Sequence, residues 1–529
     1  MPIQNSSPKT FNLVDQPWIP VAGEHNLRSL MEIFTGSAPK RLSGNAVDKI
    51  VMFRFLLSIV HASSPIPDAA AWEVLTPEKI AEDARNYLSA NRQLFDLYDP
   101  ERPFLQFPRL KEKIGKISKD GKIVEIEKSV WTMRVNYSDN QPILSGWQIA
   151  YHLTDDEIAR FLLRMNCAAL ASKIFENDIL LSASRSPEKR ANGAPGTLLG
   201  TGIYGYLHSY LSGDDLWESL HLNLLTEEDI KKTGAYPEGL GKPFWEEMPT
   251  GEYDDRAKQY RNSYFGRIFP VDKCVLLTDG GNKIIKTDGI PYASGIDVRD
   301  PALTVYEDKK GFSAVKAEVA VRPWRELASL LNFLNSKDNQ SPYFLSLGLN
   351  HLRETETKTI RFWVGGVEIS NNSGGQQIKQ TNDYIESEFL MPLDQLGTQF
   401  LQKYKKLMQQ LDVCCNSLFQ AVNEYFFLLC ENPENEKNKK KHQSELSGKL
   451  ARRAKTQFWE QMESRAQIII DLAEGSDEDA EKKEFALWRK TVSDIYNEFC
   501  PHETARQLAA WVEANPKFNR RKGKNKNGK

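Results

Sequence analysis

The sequence predicts an α+β protein: a large mixed α/β N-terminal domain over residues 1–390, a C-terminal four-helix bundle over 391–516 and a basic disordered tail over 517–529. Three observations lead there. At 529 residues the chain is too long for one hydrophobic core, since single cores stop growing well short of that length. Up to Pro392, β-branched and aromatic runs alternate with helical patterns under frequent Gly, Pro and Asn punctuation. Beyond it glycine and strand signals almost vanish, and long helical periodicities are joined by the polar connectors ENPENEKNKKKHQ and EGSDEDAEK, the pattern of an up-down bundle.

The elements follow in chain order. FNLVDQPWIPV (11–21) reads as a short strand with a tryptophan anchor and an edge proline. Residues 41–61 form a buried amphipathic helix, as do 155–172, where apolar residues recur at helical spacing behind an acidic first turn. Between them 111–145 is a long irregular segment holding a short hairpin turned at Asp120-Gly121; loops of such length are functional or disordered. IRFWVGGVEI (360–369) is a strand, and Asn371-Asn372-Ser373-Gly374-Gly375 supplies the residues a hairpin turn tolerates. Helices are expected at 393–431, 444–474, 478–498 and 502–514. No internal repeat is visible. The last 13 residues carry seven Lys or Arg and no acid, which fits either a solvated end or non-specific phosphate contact.

Composition narrows the function. Hydrophobic residues make up 40% and charged residues 26%, ordinary for a soluble globular protein. No apolar run is long enough to span a bilayer, and MPIQNSSPKTFNL lacks the basic start and apolar core of a signal peptide, so the expected location is cytoplasmic. The formal charge of −2 makes any nucleic-acid contact a matter of local patches. Six cysteines without a CxxC pair argue against a zinc ribbon and a disulfide framework. The eight histidines form no HxxxH or HxH, and neither GxxxxGK[ST] nor GxSxG occurs. Glu460 and Glu463 share a helix face, where exposed carboxylates are common. The residues therefore read as non-enzymatic, with no cofactor.

Several stretches in order resemble one family. WIPV at the end of 11–21, Pro103-Phe104-Leu105-Gln106, GAPGTLLGTGIYGYLH (193–208), YFGRIFP (264–270) and SGIDVRDP (294–301) are similar to landmarks of the CasA family, the large subunit of the type I-E CRISPR Cascade surveillance complex. The helical C-terminal region is similar to that family's four-helix bundle. The resemblance implies a division of labour in which guide-RNA pairing reads sequence while protein reads a short protospacer-adjacent motif, the PAM. It implies as partners the guide crRNA, other Cascade subunits, double-stranded target DNA and a recruited helicase–nuclease, with no membrane.

It also implies three PAM-reading elements. The wedge position falls on 371–380, with Gln376 and Gln377 at its tip, Gly374 and Gly375 allowing close backbone approach and Lys379 near a phosphate; on residues alone, an ordinary polar hairpin tip is the other reading. The family's glycine loop falls near 181–193. No glycine triplet stands there, so Ser182, Ala183, Ser184 and Arg185 take its place, or form a basic surface loop. The lysine falls within 278–292, as Lys286 or Lys283, or either is a solvated hairpin lysine. Members with a cysteine cluster nearby bind zinc; Cys274 is alone here, and no metal is expected. Segment 111–145 matches a loop that contacts the guide end and neighbouring subunits, where Trp131, Arg134, Asn136 and Tyr137 offer stacking and hydrogen bonds. Two rival readings stand beside this one: a non-reading scaffold subunit of a related Cascade subtype, and a metal-dependent nuclease with a dispersed site.

Overall fold

A computed structural model describes residues 9–115, 126–133, 152–170, 181–182, 205–292, 300–308, 311–319, 322–327, 344–353, 359–372, 375–378, 383–393, 398–429, 436–475 and 477–518. The chain divides into two compact units, one of Met1–Glu318 with Asn332–Glu388, the other of Val319–Leu331 with Phe389–Lys529. The sequence expects a single division after residue 390; the structure divides at 388/389 and adds a short earlier segment to the second unit.

The first unit is organised around helix α1 (Ala46–Ser63). Asn45 caps it, its side chain accepting from the N–H groups of Val47 and Asp48 and satisfying donors that a helix start leaves open. Fourteen of its 18 residues are buried, so it is apolar nearly all round and runs through the core, where the sequence suggests a one-sided helix. Helices α2 (Pro77–Ala90) and α3 (Asp155–Cys167) pack against it. A capping box of Thr154 and Glu157 opens α3. It ends five residues before the expected 172, because Ala168 leaves helical geometry at φ −137° and ψ 44°.

Among the described residues most strands are short, the longest being Thr359–Val367 and Tyr384–Pro392 at nine residues each. The strands are β1 (Lys128–Ser129), β2 (Gly205–Tyr206), β3 (His208–Ser212), β4 (Lys273–Thr278), β5 (Lys283–Asp288) and β6 (Val305–Asp308). After these come β7 (Gly311–Ala314), β8 (Lys316–Ala317), β9 (Thr359–Val367), β10 (Ser370–Asn372), β11 (Gly375–Gln377) and β12 (Tyr384–Pro392). Two three-stranded sheets have orders β12-β9-β3 and β1-β5-β4; the pairs β2–β8, β6–β7 and β10–β11 stand apart. Phe53 of α1 stacks on Tyr210 of β3 with ring centroids 4.0 Å apart, and Tyr210 stacks on Trp363 of β9 at 4.8 Å, which fixes the first sheet to the central helix. In β9, a Cβ on Gly366 would meet the Tyr206 carbonyl oxygen at 2.5 Å, so this glycine permits a close backbone approach.

The described residues of the family-like stretches are largely buried, while 193–204 and 294–299 lie outside the described residues. Trp18 is fully buried and its Nε1 donates to the Leu13 carbonyl at 3.0 Å. Gln106 is also buried; its amide donates to Leu97 O at 2.8 Å and accepts from the Leu277 N–H at 2.8 Å, tying β4 to the 97–107 turn. Arg54 in mid-α1 is wholly buried. Its guanidinium meets Asp300 at 2.7 Å and donates to the carbonyls of Arg267 and Ile268 at 2.5 and 2.6 Å. One cation thus joins the helix to both the 264–270 and 294–301 stretches, and its hydrogen bonds compensate the cost of burying charge. Gly266 in the former is obligatory, since a Cβ there would lie 1.8 Å from the Tyr260 carbonyl oxygen.

The second unit is helical: α4 (Thr398–Leu429), α5 (Glu436–Glu463), α6 (Ala466–Glu474), α7 (Glu478–Phe499) and α8 (Ala505–Ala514). The helix expected over 444–474 begins at 436 and breaks at Ser464-Arg465; Arg465 leaves helical geometry at ψ 2° and pairs with Glu484 of α7. The early segment is a plug in this unit. Trp324 is fully buried, with Nε1 donating to Glu463 at 3.0 Å and its carbonyl accepting from the Tyr404 hydroxyl at 2.6 Å. Arg325 lies 3.6 Å over the Trp459 ring and bonds Asp412 at 2.6 Å. No described helix is long and apolar enough to cross a membrane.

Candidate nucleic-acid interface

Strand β9 ends at Val367, and the chain makes a hairpin before returning as β12. The backbone N–H of Glu368 donates to Asp383 O at 2.8 Å, closing the base of that excursion. In the hairpin Ser370 faces Gln377, Asn371 faces Gln376 and Asn372 faces Gly375. Residues 373–374, between the two strands, lie outside the described residues. Ile369 and Ile378, flanking the hairpin, are buried at 0% and 3% exposure and anchor its root.

This register corrects one expectation. The two glutamines lie on the returning strand β11 and not at the apex, because Gly375 already pairs with Asn372 and so begins the ladder ahead of them. Gln376 is 5% exposed and engaged. Gly375 and Gln377 are placed by backbone pairing alone, and Gly374 and Lys379 lie outside the described residues.

The root of the hairpin is gripped from α1 and α3. Arg164 on the buried face of α3 donates to Asp48 at 2.9 Å and to the Tyr384 hydroxyl at 2.6 Å, with its guanidinium carbon 5.5 Å from the Tyr384 ring centre. Burial raises the Tyr384 hydroxyl pKa, against the pull of Arg164, so the phenol stays a protonated partner. Two residues on, Glu386 receives Lys49 at 2.6 Å and the Trp363 indole N–H at 3.2 Å. None of these anchors is among the sequence-derived candidates. The signal for Arg164 was present, an arginine inside the apolar face of RFLLRMNC, where only a paired charge is stable.

Two candidates predicted separately come together at β5. Ser129 of β1 faces Lys283, Val130 donates to Asn282 O at 2.9 Å, and Trp131 follows directly. The Trp131 segment and Lys283 therefore lie at the same end of the β1-β5-β4 sheet. Arg134, Asn136 and Tyr137 lie outside the described residues. Lys283 and Lys286 are three residues apart on one strand, and side chains alternate, so they occupy opposite faces. Lys283 is exposed, whereas Lys286 is half-buried and engaged. The β4–β5 turn is held by Lys9, whose ammonium reaches Asp155 at 2.7 Å, the Tyr98 hydroxyl at 3.0 Å and Gly280 O at 3.0 Å.

Ser182 marks the entrance of the proposed glycine-loop equivalent. Buried Glu252 accepts from the N–H groups of Leu181 and Ser182 at 3.0 and 3.1 Å, and the Ser182 hydroxyl accepts from Tyr253 N–H at 2.7 Å. Ser182 is thus an anchor of the loop's root. Ala183, Ser184 and Arg185 lie outside the described residues.

Among the described residues no group of three or more His, Cys, Asp or Glu is arranged to hold a metal. Cys274 is buried in β4.

Comparison with known proteins places this geometry in context. The family model described as CRISPR-associated protein Cse1 matches residues 12–499. A CRISPR-associated protein CasA/Cse1 of Thermus thermophilus is 31% identical over 116 residues, a stretch that is 20% of this chain and about a fifth, 22%, of that protein. Among solved structures, CasA of Thermus thermophilus matches with a TM-score of 0.64 at 19% identity, covering 96% of this chain and 98% of that one. Cse1 of Thermobifida fusca matches at 0.65 and 17% identity, covering 98% of each chain. A chain in a structure described as a CRISPR RNA-guided surveillance complex matches at 0.59 and 18% identity, covering 96% of this chain and 99% of that one. At these identities the structural likeness is one of fold.

Proposed function

The chain belongs to the family of CRISPR-associated protein Cse1, and from that premise we propose that it is the large subunit of a Cascade complex that reads the PAM through the minor groove and opens the duplex beside it. Guide crRNA, the other Cascade subunits and target DNA are its partners in this reading, and a separate helicase–nuclease is recruited once the target is engaged. The likeness to a chain of an RNA-guided surveillance complex supports the assembly.

One observation carries the mechanism: a short polar hairpin, β10–β11, interrupts the β9–β12 pair and is braced at its root by buried isoleucines and by Tyr384. Unstacking one base step costs a few kcal/mol, and an inserted side chain on a braced element can supply it. Glutamine suits the task because its flat amide both donates and accepts at the edges of separated bases. The minor groove presents a degenerate pattern, so PAM reading by Lys283 or Lys286 and by the 182–185 loop is expected to tolerate several sequences.

Replacing Gln376 and Gln377 together with alanine tests the wedge. The assembled complex should then form R-loops on intact duplex about tenfold more slowly, the equivalent of roughly 1.4 kcal/mol in the opening barrier, while binding a target already melted at the PAM as before. Equal loss on both substrates would refute the wedge and favour a scaffold role.

A further inference from the structure

Within the helical unit a cleft of about 420 Å³ lies between α4 and α7, inside the size range of small-ligand sites. Helix α4 lines it with Lys406, Gln409, Gln410, Val413 and Cys414, the i, i+3, i+4, i+7, i+8 stripe of a single face. Helix α7 contributes Phe485, Trp488 and Arg489, and Phe518 forms a further wall. That last ring is held in place: Ser417 donates to Lys517 O at 3.0 Å, and the Arg489 guanidinium carbon lies 5.7 Å from the Phe518 ring centre.

The lining is graded. Trp488 and Cys414 are buried, Gln410, Val413, Phe485 and Phe518 are half-buried, and Lys406, Gln409 and Arg489 are exposed. No acidic residue is among those lining it. Trp488 is wholly enclosed, so the groups open to an occupant are those of Phe485, Phe518, Gln409, Gln410, Lys406 and Arg489.

We propose that this cleft binds a nucleoside monophosphate unit, free or as one residue of a single strand. The half-buried rings of Phe485 and Phe518 suit the faces of a base, the two glutamine amides suit its edge, and Lys406 with Arg489 takes the phosphate. The chain's own C-terminal residues are strongly basic, and like charge disfavours them as occupants.

Calorimetric titration of the full-length chain with AMP and UMP, with a short single-stranded oligonucleotide, and with inorganic phosphate as control tests the proposal. Saturable nucleotide binding is expected, weakened about tenfold in a Lys406→Gln, Arg489→Gln double variant whose melting temperature is unchanged because both side chains are exposed. Phe485→Leu removes a stacking face and should weaken binding by a smaller factor. Oligonucleotide binding that is tighter yet equally sensitive to these variants identifies a strand as the source; equal affinity identifies free nucleotide. Absent saturation, indifference to the variants, or equally tight inorganic phosphate would overturn it. The Gln376→Ala, Gln377→Ala variant should bind normally, so this proposal and the wedge fail separately.

Discussion

At the scale of single residues, the described residues of the stretches that carried the family resemblance are explained by packing. Trp18, Gln106, Gly266 and Asp300 are buried, and each is explained by an indole bond, a backbone clamp, a close approach or the Arg54 pair. Buried ionisable groups also set how the fold answers pH. His61 at the end of α1 lies edge-on to Tyr264 with ring centroids 4.9 Å apart, and burial lowers its pKa from 6.5 to about 3. Below pH 6.5 the unfolded chain takes up a proton that the folded chain refuses, so this residue's contribution is complete above pH 6.5 and lost as pH falls toward 3. At about 1.4 kcal/mol per pH unit, the loss by pH 4.5 is on the order of 2–3 kcal/mol. In His61→Phe the drop in urea midpoint between pH 6.5 and 4.5 should shrink accordingly. An unchanged drop would mean that other groups govern acid sensitivity.

At the scale of elements, periodicity located helices and strands well but could not give register. The hairpin after β9 was legible from its Asn, Ser and Gly residues; that Gln376 is drawn into the ladder at 5% exposure depends on pairing with Asn371. The grip of Arg164 on Tyr384 joins residues 220 apart in sequence, a separation that no local pattern encodes. Strand alternation bears on one choice. Lys283 and Lys286 occupy opposite faces of β5, so a DNA surface lying on one face engages only one of them. Lys283, exposed and paired through Ser129 to the Trp131 segment, is the better placed. Lys283→Ala should weaken binding of PAM-bearing duplex by roughly tenfold and reduce the salt dependence by about one phosphate contact, while Lys286→Ala should leave both nearly unchanged. Equal effects in an electrophoretic series across salt concentrations would remove β5 from the interface.

At the scale of the whole molecule, the change of composition near Pro392 announced a helical unit, but the unit is not one continuous stretch of chain. Residues 319–331 belong to it as well, and short aperiodic runs such as PWRE (323–326) give no sign of where they will be buried. Their contribution is large for their length. Trp324 is fully enclosed, bonded to Glu463 at the end of α5 and, through its carbonyl, to Tyr404 of α4; Arg325 adds its contact over Trp459. Removing a buried tryptophan side chain costs about 3–5 kcal/mol through lost burial and the cavity left behind. A loss of that size is a large fraction of what holds a domain together. Trp324→Ala should therefore speed hydrogen exchange along α4 and α5 by two to three orders of magnitude, about 1.4 kcal/mol per tenfold, while the amides of α1 in the other unit keep their native rates. If α4 and α5 exchange as in the native chain, the segment is a surface strap and the helical unit stands without it; if α1 loosens equally, the two units unfold as one.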